Sequence, residues 1–140
     1  MHKHALIFGL GVALAWLSLA TAKTPGGVVV LDVEGGDTAL AVAPDRMQAW
    51  WLKGECRVAI PIDAANSTPA SLLSEAQTEV VSLGRRNVRM TQQFRFDITP
   101  NDIDVSIYSS VRGGWAAVPT KRDRACEASA CRARTELPEC

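Results

Sequence analysis

Histidine is almost absent from this 140-residue chain, and the two it has, His2 and His4, stand at its start. A polypeptide that loses those two residues can assemble neither a Ser-His-Asp or Cys-His catalytic unit nor a histidine-ligated metal site. An excess of either charge is also missing. The 15 basic side chains balance the 15 acidic ones, so no overall field recruits nucleic acid or an anionic membrane. No apolar run reaches the roughly 20 residues of a bilayer-spanning helix. No Cys-x-x-Cys motif occurs, because Cys126 and Cys131 have four residues between them; this disfavours a thiol oxidoreductase. The carboxylates are scattered along strands and turns, as solvated groups are. An enzyme is not expected, and no cofactor or metal is implied.

What is present begins with an export signal. A short basic start (Met1, His2, Lys3, His4) is followed by apolar residues from Ala5 to Leu19 and by Ala20-Thr21-Ala22. This is the pattern of a cleavable signal peptide over residues 1–22. Cleavage after Ala22 removes both histidines and delivers residues 23–140, the size of one domain, to an oxidising compartment. The mature protein is then expected to touch no membrane.

Four cysteines remain, Cys56, Cys126, Cys131 and Cys140. An even number in an exported chain favours disulfides, for which three pairings exist. A four-thiolate zinc site would normally show two close pairs, and Cys56 stands alone.

From Gly26 onward the hydrophobic pattern has period two, the mark of half-buried strands. Val29, Leu31 and Val33 share one parity before the Glu34–Asp37 turn, and a second strand runs from Thr38 to about Ala43. The segment Asp45–Lys53 reads either as a strand or as a short helix capped by Gly54; Trp50 and Trp51 favour the strand. In the run from Glu55 to Ile62, Cys56, Val58, Ile60 and Ile62 share a face, which points Cys56 into the core. Thr68-Pro69 suggests a loop or one helical turn reaching about Ser74, followed by a strand to Leu83. Next, Val88, Met90, Phe94, Phe96 and Ile98 alternate with Arg89, Thr91, Gln93, Arg95 and Asp97. After a turn at Thr99–Asp102, Ile103, Val105 and Ile107 alternate with Asp104, Ser106 and Tyr108. Gly113-Gly114 turns the chain into a last strand, Trp115–Val118. The expectation is an all-β antiparallel sandwich of about seven strands over residues 23–119. Residues 120–140 would form an irregular, solvated extension stapled by disulfides.

Three stretches resemble the curli assembly proteins of the CsgC and CsgH-like family. They are Glu55-Cys56-Arg57-Val58, the long run from Phe94 to Ser110 with Ser82-Leu83 upstream, and Gly36-Asp37 with Pro44. The resemblance covers roughly Val28 to Trp115. It implies an immunoglobulin-like seven-strand sandwich in the periplasm, a monomer that keeps curlin subunits from forming amyloid before secretion. The chain has Gly54-Glu55-Cys56 where CsgC carries a Cys-x-Cys pair, so no vicinal-thiol role carries over and the CsgH-like branch is the nearer comparison. The three-cysteine tail has no counterpart there.

On this reading the client-binding groups are the polar parity of the central hairpin: Arg89, Gln93, Arg95, Asp104 and Tyr108, with Thr91 and Ser106 beside them. Tyr108, the single tyrosine, suits weak recognition beside arginine. A rival reading is an immunity or enzyme-inhibitor protein, which would need a protruding segment; the Asn66–Ser74 loop or the tail could supply it.

Overall fold

A computed structural model describes residues 27–127 and 132–140. The protein is built from two antiparallel sheets. The first joins β1 (Val29–Val33), β2 (Ala39–Ala43), β3 (Gln48–Leu52), β4 (Arg57–Ile60) and β10 (Thr120–Arg122), in the order β10-β1-β2-β3-β4. The second joins β5 (Ser71–Leu73), β6 (Gln77–Leu83), β7 (Arg86–Ile98), β8 (Ile103–Ser109) and β9 (Gly114–Val118). Its path is β5-β7-β8-β9, with β6 also on β7.

The all-β sandwich expected from the alternation is what forms. Inner-face residues of both sheets make one core, with Leu31, Leu40 and Val42 against Leu72, Phe96 and Ile103, all but closed to solvent. Each such side chain contributes about 1.5–3 kcal/mol by leaving water. The described residues carry ten strands rather than about seven. Within the first sheet β1 to β4 are neighbours in chain order, whereas an immunoglobulin sandwich pairs its B strand with E.

Several local expectations met a different outcome. The Asp45–Lys53 segment is indeed a strand, β3, entered through a 3-10 turn at Pro44–Arg46 and a left-handed Met47 (φ 51°). No helical turn starts at Thr68. The Ser71 N–H donates to the Thr68 carbonyl, the Ser67 hydroxyl bridges to Leu73, and β5 then pairs with β7. Cys56 does not enter the core. It lies at the start of β4, half-buried, bonded to Cys140 across a sequence separation of 84. Alternation alone cannot anticipate that, because the sulfur is drawn to a partner at the other end of the chain.

The tail is not a solvated extension. Its first residues are β10, hydrogen-bonded to β1 with Leu31 opposite Arg122 and Val33 opposite Thr120. After a 3-10 turn (Arg124–Glu127) and a short helix, α1 (Arg132–Thr135), the chain ends on the opposite edge. There the Arg57 N–H donates to the Pro138 carbonyl and the Cys140 N–H to the Arg57 carbonyl. The tail therefore straps the first sheet from edge to edge. It roofs a second apolar cluster on that sheet's outer face, Val30, Ala39, Ala41, Ala43, Trp50 and Leu52, against which Cys126 and Leu137 pack. Arg134 pins the strap, its Nη2 donating to Asp32 (2.7 Å) and its Nη1 to Asp123 (2.6 Å). The bond to Asp32, above the opposing effect of desolvation, raises its pKa above that of an ordinary guanidinium, with Asp123 adding to it. Arg57 lies over the Trp50 ring at 4.6 Å and donates to the Thr135 carbonyl. Cys126 is disulfide-bonded as well. Cys131 and residues 1–22, where a signal peptide is expected, lie outside the described residues.

Candidate functional site on the outer face of the second sheet

Register decides which side chains share the face away from the core. Gln93 stands opposite Tyr108, Arg95 opposite Ser106, and Asp97 opposite Asp104. On the far side of β8, Tyr108 faces Trp115 and Ser106 faces Ala117. The polar parity read from the sequence is therefore one physical face.

Not all five expected residues meet on it. Arg95 and Tyr108 converge on Trp115: the Arg95 guanidinium lies 4.5 Å from the indole centroid, and the tyrosine ring 5.6 Å away at a tilt of 56°. A cation over an indole face at an exposed site is worth about 0.5–1 kcal/mol, enough to hold the guanidinium flat. Gln93 flanks the cluster but is committed, its Nε2 donating to the Ser74 carbonyl at 3.1 Å. Asp104 is exposed at the opposite end of β8, four residues from Tyr108 and so about 13 Å along the strand. Arg89 shares the parity but pairs with Val80 on β6, beyond the end of β8. The compact group is thus Arg95, Tyr108 and Trp115.

Trp115 escaped the sequence reading, although 41% of its surface is open. Its signal was there: a tryptophan just after a Gly-Gly turn, in the strand that follows the one holding the single tyrosine.

The edges of the two sheets differ. In the first sheet, β10 is three residues long with two cations, and the other edge, β4, is occupied by the strap and by the Glu75 N–H donating to the Pro61 carbonyl. In the second, β9 ends the sheet with Gly-Trp-Ala-Ala-Val, without charge or proline, and no described strand lies on its outer side. Native proteins usually blunt such an edge with charge, proline or a bulge, because its unpaired N–H and C=O groups accept another strand.

Between the sheets, beside β4, opens an apolar cleft of about 370 Å³ lined by Trp51, Val58, Ile60, Phe94, Ile107 and Val118, with Glu75, Gln77 and Gln92 among its polar lining. Among the described residues no three potential metal ligands cluster, and no helix is long and apolar enough to cross a membrane. Comparison with family models, curated proteins and solved structures finds no match.

Proposed function

We propose that this protein is an exported, chaperone-like inhibitor that works in the periplasm by binding curlin-type amyloid subunits, without turnover and without a cofactor. The observation that carries the reading is the open, uncharged edge of β9 beside the Arg95–Tyr108–Trp115 cluster. Amyloid grows by adding strands to exposed edges, and a folded edge can receive such a strand by β-augmentation. The family resemblance of the Phe94–Ser110 hairpin supplies the client; the edge supplies the means.

A client strand laid along β9 gains main-chain hydrogen bonds, while its side chains meet Trp115 and Ala117 on the outer face. Arg95 and Tyr108 offer donors to the Gln and Asn side chains that stack in amyloid. Growth stops there. The sandwich twists away from the docked strand and presents a side-chain ladder that is not the client's own, so the flat in-register stack has no continuation.

The test follows fibre formation by purified curlin subunit with substoichiometric mature protein. The expected result is a lengthened lag, lost in the double variant R95E/A117K, which alters only solvent-facing groups. An unchanged lag even at equal concentrations would sink the proposal.

A further inference from the structure

The most prominent unassigned feature is the ribbon made by β6 and the first half of β7. Gln77 pairs with Gln92 and Leu83 with Arg86, and β8 accompanies β7 only as far as Gln92. Beyond that point the two strands have no described strand beside them. The tip is a two-residue turn, Gly84-Arg85, with Gly84 at φ +66°. Glycine at the first central position suits the tight turns that match strand twist.

A two-stranded ribbon in water is marginal on its own, and this one exposes apolar and cationic side chains with a single carboxylate, Glu79, in β6. Arg85 and Arg86 stand at the tip and Arg89 along the shaft, all exposed, and no described salt bridge reaches any of them. Val80 is 64% exposed and Leu83 47%. Because paired residues share a face, Val80 lies with Arg89 on one side and Leu83 with Arg86 on the other. Each face therefore carries one open apolar side chain opposite one arginine.

We infer that the ribbon is a second protein-binding element, which inserts into an acidic cleft of a partner protein. The two-faced pattern decides the shape of the partner. A flat anionic surface such as a membrane covers one face of a ribbon and leaves the other apolar side chain wet. A cleft covers both, and carboxylates on its walls match the three arginines, whose planar forks suit bidentate pairing. This site is separate from β9 and does not depend on a curlin client. The Asn66–Ser74 segment, by contrast, is tied to β7 through β5, and the tail is bonded to β4 at Arg57.

The experiment places a photo-crosslinking residue at position 80 or 83 in the exported protein in cells. The adduct is identified, and the partner is then purified for binding measurements. Both positions should capture the same acidic protein, and R85E/R86E should weaken binding on the order of tenfold or more, with raised salt weakening the wild type likewise. The single variant L83D, with the arginines intact, should also weaken it. Circular dichroism confirms that the variants fold. Adducts from one face only, adducts with different proteins at the two positions, or affinity unaltered by R85E/R86E would overturn the inference. So would binding to vesicles of 30% phosphatidylglycerol that matches binding to the captured protein.

Discussion

At the scale of single residues, the proposed client contact centres on Trp115 and the two side chains that lean on it, Arg95 and Tyr108. Replacing Arg95 by Glu removes the cation over the indole and reverses the charge offered to a client. Inhibitory potency is expected to fall roughly fivefold, the equivalent of about 1 kcal/mol. Arg89→Glu, on the ribbon, should change fibre lag time much less. Equal effects of the two variants would mean that the whole arginine row is the site. Alternation made this face legible, since Arg95, Ser106 and Tyr108 were all placed on it. What alternation lacks is distance along a strand, so Arg89 was grouped with Arg95 about 20 Å away, and Asp104 with Tyr108 about 13 Å away. At the core, Phe96→Ala should cost about 3–5 kcal/mol, measured by denaturant unfolding, because the ring is fully closed between the sheets.

At the scale of elements, the strands β1 to β4 and β6 to β9 were legible in the sequence, whereas β5, β10 and the cover on the first sheet were not. Strands β7 and β8 alternate cleanly because one side faces the core and the other water. Strand β2, Ala-Leu-Ala-Val-Ala, is apolar on both parities and buried throughout. That pattern belongs to a sheet covered on both faces; it announced the roof, but nothing local says that a charged tail with three cysteines supplies it. The β6–β7 ribbon had its own signal in Gly84-Arg85, a glycine-led pair between two strand-like runs. For the edge, Ala117→Lys places the usual guard against strand addition on β9. Ala117 is exposed, so the melting temperature should stay within a degree or two while fibre inhibition weakens. Full inhibition by the folded variant would move the docking strand elsewhere.

At the scale of the whole molecule, one covalent link decides how the chain ends. The Cys56–Cys140 bond closes a loop across a sequence separation of 84 and holds the strap against the first sheet. Cys140→Ser should lower stability by roughly 2–4 kcal/mol, a fall in melting temperature on the order of 10 °C. It should also red-shift tryptophan emission as Trp50 loses its cover. An unshifted melting temperature would show that Arg134 and the β10 pairing hold the strap without the disulfide. Arg134 has a raised pKa, so the stability it contributes is present throughout the ordinary pH range and is lost only above its own titration in strong alkali.

Amide hydrogen exchange reads directly whether a client strand joins the molecule at β9. On adding curlin subunit to the mature protein, exchange at residues 114–118 should slow markedly, with a smaller change at β8 and little along β4 or the strap. Client bound with exchange at β9 unaltered, or with protection confined to another strand, would rule out docking at β9.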